Sequence, residues 1–245
     1  TAQAGQWIVL GLDTAGSSNN DTVVNIGSYV FANGPIYDVR VWTTMPNNEN
    51  DTVNENDTTA ISVGAALVGT YVIGTGSGAD YVSFTEAADD LNTRGVCGDV
   101  VFNVQSGTYN EQIAINEFPG SSEDATVTFQ SLANNTSAVT LQYSGSTSAA
   151  NNWVVKLNGA DYVTFRKMKI SSAGNSGAYA NVFNMEGGSN NNNVLDCWLK
   201  GNSYSSTSTG NFRSVVYING LNNDNTISNN RIEGGNPSIY AYGSG

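Results

Sequence analysis

The amino-acid sequence predicts an all-β protein whose main part is a parallel β-helix, and three observations lead to this fold class. Residues 181–199 and 215–232 repeat one pattern of apolar strand, glycine, asparagine-rich corner and second apolar strand. In both stretches the two apolar anchors are 14 residues apart. Only 12% of the residues are charged, and abundant Gly, Asn, Ser and Thr favour short strands and turns over helices. Repeats of about 20 to 50 residues made of short strands are typical of a β-helix.

The repeat begins near residue 98 and gives about five coils. The predicted first strands end at Val104, Phe129, Leu157, Met185 and Ile218. The predicted second strands end at Ile115, Leu141, Ile170, Leu199 and Ile232. The spacing between successive strand ends grows by similar amounts in both series, so the distance between the two strands of one repeat stays nearly constant. We therefore expect insertions to collect in one loop, between the second strand of one repeat and the first strand of the next. Successive coils should then stack in register, about 4.8 Å apart.

Stacked coils place equivalent residues in columns, and one outward column is a candidate binding surface. Lys169, Trp198 and Arg231 are equivalent in three successive coils. An exposed indole flanked by cations suits a sugar ring that carries carboxylate or sulfate groups. The simpler interpretation of the same column is a cation–π ladder that stabilises the surface. Both interpretations predict that the three side chains lie one above the other.

Two further columns predict structural roles. Cys197 and Met168 share an inward column, so Cys197 is expected to be a buried thiol. Cys97 lies several coils earlier, too far away for a disulfide, whose Cα atoms must lie within about 7 Å. We therefore predict two free thiols. The pair Lys167 and Asp196 predicts an ion pair between coils rather than a calcium-dependent lyase site, because one carboxylate makes a poor calcium cage.

One helix is predicted, over residues 83–94, as the cap of the β-helix. Ser83 and Glu86 form an S-x-x-E capping box, and Gly95 follows the last turn. The apolar positions of one helical face are Phe84, Ala87, Ala88 and Leu91. A helix with one apolar stripe can cover the open end of the first coil, which a solenoid needs.

The N-terminal part predicts a different domain. Residues 1–58 alternate like antiparallel strands and are assigned to part of an immunoglobulin-like β-sandwich followed by an acidic linker. The linker carries four acidic residues, Glu49, Asp51, Glu55 and Asp57. These carboxylates are candidate calcium ligands, although their spacing matches no twelve-residue calcium loop, and a solvated linker is the alternative. Residues 59–245 are assigned to the β-helix. Its C-terminal end is expected to be open, so that it continues into further modules or docks on another copy to build a filament.

Composition excludes several classes of function. The net charge is −12 with nine Lys and Arg residues, which argues against nucleic acid as a partner because phosphate backbones are bound mainly by these cations. The sequence contains no run of about 18 apolar residues, so it predicts no membrane-spanning helix. The chain contains no histidine, which removes the commonest general base in catalysis.

Two segments carry a resemblance to known families. GADYVSFTEAADDL and VVFNVQSGTYNEQIAI resemble the cap, the first coil and the G-x-Y-x-E turn at the start of the pectin-lyase-like right-handed β-helix superfamily, pectin methylesterases especially. The wider pattern, with VWTTMPNNENDTVNENDT before the coils, resembles large modular surface proteins of Bacteroidota. That resemblance implies immunoglobulin-like adhesive modules beside the β-helix, export from the cell and an extracellular or cell-surface location. The D-F-x-F-G and Q-A-x-A-x-R segments of pectin methylesterases have no counterpart here, so no catalytic role is carried over.

The expected function is therefore a non-enzymatic structural or adhesive module of a secreted cell-surface protein. Its expected partners are acidic polysaccharides or other surface glycans, bound through the column around Trp198, and calcium is its expected cofactor if the acidic linker binds one. Filament formation through the open end belongs to the same expectation. The alternative is a carbohydrate-active enzyme, of the polysaccharide lyase or esterase type, whose catalytic coils lie beyond this segment.

Overall fold

The fold is given by a computed structural model, which describes residues 36–42, 58–144, 148–172, 181–202 and 211–243. The chain divides into two compact units, residues 1–65 and 66–245. In the first unit the described residues form two antiparallel strands, β1 (Ile36–Trp42) and β2 (Thr58–Gly64). Strand β2 begins at the expected boundary at residue 58 and pairs with β1. The other strands of the predicted β-sandwich would come from residues 1–35, which lie outside the described residues.

The second unit starts with a strand and a helix and then winds through five coils of three strands each. Before the coils come β3 (Leu67–Ile73) and α1 (Phe84–Arg94). The first two coils contain β4 (Val96–Val104), β5 (Gly107–Asn110), β6 (Ile113–Asn116), β7 (Val127–Ser131), β8 (Val139–Tyr143) and β9 (Val155–Asn158). The last three contain β10 (Val163–Arg166), β11 (Lys169–Ser172), β12 (Phe183–Glu186), β13 (Asn193–Leu195), β14 (Trp198–Lys200), β15 (Val216–Asn219), β16 (Thr226–Ser228), β17 (Arg231–Glu233) and β18 (Ile239–Tyr242). Among the described residues, no helical stretch combines the length and the apolar character that a membrane crossing needs.

Each coil contributes one strand to each of three parallel sheets. Sheet 1 has the order β3-β4-β7-β10-β13-β16, sheet 2 the order β5-β8-β11-β14-β17, and sheet 3 the order β6-β9-β12-β15-β18. All neighbouring strands in the three sheets are parallel. This topology confirms the predicted all-β parallel β-helix of about five coils.

Stacked aromatic rings fill the interior beneath sheet 1. Phe102, Phe129 and Phe165 are fully buried, and consecutive ring centroids in this series are 4.6 and 4.9 Å apart. These distances match the spacing of about 4.8 Å between neighbouring strands, because each ring projects inward from the same position of its coil. Such aromatic pairs contribute about 0.5–1.5 kcal/mol each beyond the burial of their area. Val194 and Ile227 continue this series in register with Phe165.

The predicted cap helix is confirmed, and its N-terminus is held by the first coil. Ser83 is the N-cap and accepts a hydrogen bond from the Glu86 backbone N–H at 3.0 Å. Glu111, the last residue of the G-x-Y-x-E motif, accepts a hydrogen bond from the Thr85 backbone N–H at 2.7 Å and another from the Thr85 hydroxyl at 2.7 Å. A carboxylate at a helix N-terminus satisfies free N–H groups and complements the helix dipole. The motif therefore joins the cap to the first coil.

The predicted second strands that end at Leu141, Ile170, Leu199 and Ile232 are equivalent in sheet 2, as predicted. The alignment is wrong at the first strands of the first two coils and at the strand that ends at Ile115. Leu157, Met185 and Ile218 occupy equivalent positions in sheet 3, as predicted. Phe129, however, pairs with Phe165 in sheet 1, so the strands that end at Val104 and Phe129 belong to that sheet. The corresponding strand of sheet 3 in the first coil is β6, where Ile115 pairs with Leu157. The error arises because each coil has three similar apolar strands, and the sequence does not label which sheet each one joins.

The corners between sheets 1 and 2 are short and use a left-handed residue. Lys167, Asp196 and Asn229 take equivalent positions there, with φ of 52°, 53° and 58°. Asn tolerates this conformation better than most residues. The residue after Asn229, Asn230, then accepts a hydrogen bond from the Cys197 backbone N–H at 2.8 Å. At this corner the last coil thus bonds the backbone of the coil before it.

The asparagine side chains in the corners between sheets 3 and 1 bond the backbone of neighbouring coils. Asn192 accepts a hydrogen bond from the Val163 backbone N–H at 2.8 Å and donates to the Ala160 carbonyl at 2.9 Å. Asn225 repeats both contacts one coil later, on the Asn192 N–H at 2.8 Å and the Ser189 carbonyl at 2.9 Å. These side chains form hydrogen bonds to backbone groups at the corners, where strand pairing does not supply a partner.

Candidate functional site

The predicted outward column around Trp198 lies on sheet 2. Lys169 of β11 pairs with Trp198 of β14, and Trp198 pairs with Arg231 of β17. The Lys169 ammonium lies 4.6 Å from the indole centroid, and the Arg231 guanidinium carbon also lies 4.6 Å from it. Lys200 adds a third cation at 5.9 Å. The structure therefore brings the three predicted residues together in the predicted register.

One carboxylate organises this group of side chains. Glu233 accepts a hydrogen bond from the Trp198 indole N–H at 3.1 Å and forms an ion pair with Arg231. We call Lys169, Trp198, Lys200, Arg231 and Glu233 the Trp198 cluster. It contains three cations and one carboxylate, whereas the whole chain has a net charge of −12.

The strands on either side of β14 determine how a ligand can approach Trp198. Because Lys169 and Arg231 come from opposite neighbouring strands, they cover the two faces of the indole. A sugar ring therefore has no free indole face on which to stack, and it would meet the cations and the edge of the ring. The cations are available for this, since the Arg231 side chain is 65% exposed. The cluster is suited to carboxylate or sulfate groups more than to apolar sugar faces.

The other predicted charge sites have different outcomes. Lys167 does not pair with Asp196 within the described part of the chain; its ammonium donates to the Asn134 side-chain oxygen at 2.6 Å. The four candidate calcium ligands Glu49, Asp51, Glu55 and Asp57 lie outside the described residues.

The two cysteines are free thiols, as predicted. Cys97 lies in β4 and is exposed, whereas Cys197 is buried in the corner between β13 and β14, next to Trp198 in the chain. Burial raises the pKa of the Cys197 thiol to about 12. A thiol with so high a pKa carries almost no thiolate near neutral pH and is unreactive.

A cleft on the outer side of sheet 3 was not predicted. It has a volume of about 280 Å³ and lies over β9, β12 and β15 and the segments that precede them. We call it the sheet 3 cleft and define it by six of its lining residues, Trp153, Lys156, Asn184, Glu186, Phe212 and Tyr217.

Part of this cleft was open to prediction from the sequence. Lys156, Asn184 and Tyr217 each precede one of the correctly aligned anchors of sheet 3, so they form an outward column. The register alone would have placed these three together. Trp153 and Phe212 come from the long connections between sheets 2 and 3, whose paths no periodicity describes.

Charges in the sheet 3 cleft are paired with each other. The Lys156 ammonium lies 3.0 Å from the Glu186 carboxylate and 3.6 Å from the centroid of the Trp153 ring. Both side chains of the ion pair are mostly buried, with 19% and 27% of their areas exposed. The cleft therefore presents aromatic rings and amides around a neutral pair of charges.

Comparison of the chain with protein-family models, with curated proteins and with solved structures gives no match.

Proposed function

We propose that the chain is a non-enzymatic structural and adhesive module of a secreted cell-surface protein, and that it binds acidic polysaccharide through the Trp198 cluster. The observation that carries this proposal is the concentration of three cations within 6 Å of the Trp198 ring centroid in a strongly acidic chain. Because the negative charge of the rest of the chain repels a polyanion, such a local group of cations is its favoured contact.

The β-helix supports this role by holding the cations in place. Lys169, Trp198 and Arg231 are in neighbouring paired strands, about 4.8 Å apart. The charges of Lys169 and Arg231 therefore lie two strand spacings apart along the helix axis, a direction in which the successive carboxylates of a uronic-acid polysaccharide can follow them. Contact with the indole restricts the rotamers of the long cationic side chains, so less conformational entropy is lost when a polyanion binds.

Affinity chromatography tests the proposal. The chain is loaded at low salt on immobilised polygalacturonate and eluted with a salt gradient, with a neutral polysaccharide matrix as the reference. We expect retention on polygalacturonate, and we expect the Lys169→Ala/Arg231→Ala variant to elute at clearly lower salt because two contacts to the polyanion are lost. Trp198→Ala should also weaken retention, since the cations lose the ring that orients them.

Lys167→Ala is the matched control, because it removes one positive charge from the same coil as Lys169 but from a corner where the lysine bonds Asn134. This control should elute almost with the wild type. Equal elution of Lys167→Ala, Lys169→Ala and Arg231→Ala would show that only net charge matters and would overturn the proposal. Absence of retention in the wild-type chain at low salt would overturn it as well.

A further inference from the structure

The sheet 3 cleft contains two buried polar atoms that have no partner among the described residues. They are the side-chain oxygen of Asn184 and the indole nitrogen of Trp153. Asn184 is only 6% exposed, and its side-chain nitrogen donates to the Asn152 carbonyl at 3.3 Å. An unpartnered buried polar group costs about 1–3 kcal/mol, so native structures rarely keep one without a reason.

These two atoms require complementary partners. The Asn184 oxygen accepts a hydrogen bond, whereas the Trp153 nitrogen donates one. A hydroxyl group can do both, because it carries one donor and two acceptor positions. A ligand with neighbouring hydroxyl groups would satisfy both atoms without bringing a charge into the cleft.

The charges of the cleft also favour an uncharged ligand. Lys156 is held by the Glu186 carboxylate and by the Trp153 ring, so it is not free to receive an anion. Glu186 is likewise neutralised by Lys156. An anionic ligand would have to separate this pair, which is mostly buried, and would then meet the Glu186 carboxylate.

The remaining walls are aromatic. Tyr217 and Phe212 line the cleft, and Phe212 is 45% exposed. Tyr217 is oriented by the Tyr240 ring of the next coil, whose centroid is 6.0 Å away. Aromatic side chains beside hydrogen-bonding groups give a surface that accepts both the C–H face and the hydroxyl edge of a sugar.

We infer that the sheet 3 cleft is a binding site for a neutral, hydroxyl-rich ligand, namely an uncharged hexose residue. A volume of about 280 Å³ lies just under the range of about 300–1,000 Å³ that is usual for small-molecule sites, which limits the ligand to one or two sugar residues. Both atoms are closed off from solvent in the unliganded chain, so binding requires the Asn184 and Trp153 side chains to turn toward the cleft; a sugar hydroxyl then donates to the Asn184 oxygen and a sugar oxygen accepts from the Trp153 indole N–H. This site is separate from the Trp198 cluster, which lies on sheet 2 and favours anions.

Titration calorimetry with the intact chain tests the inference. The probes are glucose, galactose and mannose, their neutral tetrasaccharides, and galacturonate as the charged analogue. We expect at least one neutral sugar to bind and galacturonate to bind at least about tenfold more weakly, which corresponds to about 1.4 kcal/mol. Tighter binding of a tetrasaccharide than of its monomer identifies a polymer as the source of the hexose, and equal binding identifies a free sugar or a chain end. Both results support the site.

Asn184→Leu is the decisive variant, because it removes the unpartnered oxygen and retains a side chain of similar size. We expect at least about tenfold weaker binding and a melting temperature within about 2–4 °C of the wild type, the shift that about 1 kcal/mol causes in a chain of this size. Asn158→Leu is the matched control: Asn158 lies on β9 of the same sheet, is exposed, and bonds Asn116 at 3.1 Å. This control should bind like the wild type.

Three results would overturn the inference: no heat of binding with any neutral sugar, stronger binding of galacturonate than of its neutral counterparts, or equal losses in Asn184→Leu and Asn158→Leu. The Lys169→Ala/Arg231→Ala variant separates this inference from the proposed function. It should bind neutral sugar normally even if it is no longer retained on polygalacturonate, and each proposal can therefore fail without the other.

Discussion

Trp198 and Trp153 lie on neighbouring outer faces of the β-helix and have similar neighbours, yet their polar groups are satisfied differently. Each ring has a lysine ammonium near its centroid, at 4.6 Å for Trp198 and 3.6 Å for Trp153. Each also has a glutamate nearby. Glu233 accepts a hydrogen bond from the Trp198 indole N–H. Glu186 instead forms an ion pair with Lys156, and the Trp153 indole N–H has no partner within the described residues.

The difference teaches how the same residue types give a fully paired group of side chains in one place and unpartnered polar atoms in another. Around Trp198 all three residues of the column come from paired strands, and the indole N–H and both faces are occupied. Around Trp153 the ring comes from a connection before β9, so its N–H is directed by the path of that connection instead of by the sheet register. The unpartnered Trp153 N–H therefore arises from the connection, whereas the unpartnered Asn184 oxygen beside it comes from the paired strand β12.

The largest expected difference between the two faces concerns the glutamates. Glu186→Gln should lower the free energy of unfolding by about 1–3 kcal/mol, because it leaves the mostly buried Lys156 without its charged partner. Glu233→Gln should lower it by about 0–1 kcal/mol, because the Arg231 side chain remains in water. Denaturant unfolding of both variants measures the difference. Equal losses would show that the Lys156–Glu186 pair behaves as a surface pair.

A smaller difference is expected when each indole is replaced by a phenyl ring. Trp198→Phe removes the hydrogen bond to Glu233, whereas Trp153→Phe removes a donor that has no partner in the described part of the chain. The two variants lose similar ring area, so Trp198→Phe should be the more destabilising one by about 1 kcal/mol. Thermal unfolding of the pair checks this order, and the reverse order would mean that the Trp153 N–H has a partner in solution.

The smallest expected effect tests whether the outer faces act independently of the interior. Cys197 is buried and precedes Trp198 in the chain, and we expect a thiol reagent at pH 8 to modify Cys97 alone in the native wild type and equally in Trp198→Ala. Labelling of both thiols should require unfolding. Rapid labelling of Cys197 in native Trp198→Ala would show that the outer column closes the coil.

The same thiol predicts a dependence of stability on pH. Burial raises the pKa of Cys197 to about 12, while a thiol in an unfolded chain ionises near pH 8.5 or 9. The folded chain therefore holds a proton that the unfolded chain releases, and the contribution of Cys197 to stability is lost as pH rises from about 9 to about 12. Cys197→Ala should show a smaller fall in the free energy of unfolding over this range than the wild type. An identical fall would place the Cys197 pKa near its ordinary value.

Much of the later β-helix could be predicted because its coils keep constant spacing where the corners are short. The columns through Trp198 and through Phe165 follow from counting residues, since the two-residue corner between sheets 1 and 2 leaves no freedom in register. In the first two coils the same count predicts that Phe129 and Leu157 are equivalent positions of one sheet, which is wrong. There the connection between β7 and β8 is longer and apolar strands of different sheets look alike.

The sequence by itself determined the fold class, the cap helix, the free thiols and the Trp198 column. Periodicity and capping chemistry act over a few residues or over one constant coil length, so they can be read along the chain. Only the tertiary structure decided which strands of the first coils share a sheet, which backbone groups the asparagines and Glu111 satisfy, and that Trp153 meets Lys156, Glu186 and Asn184. These contacts depend on the paths of connections of unequal length, and a path in space is fixed by packing against the finished β-helix.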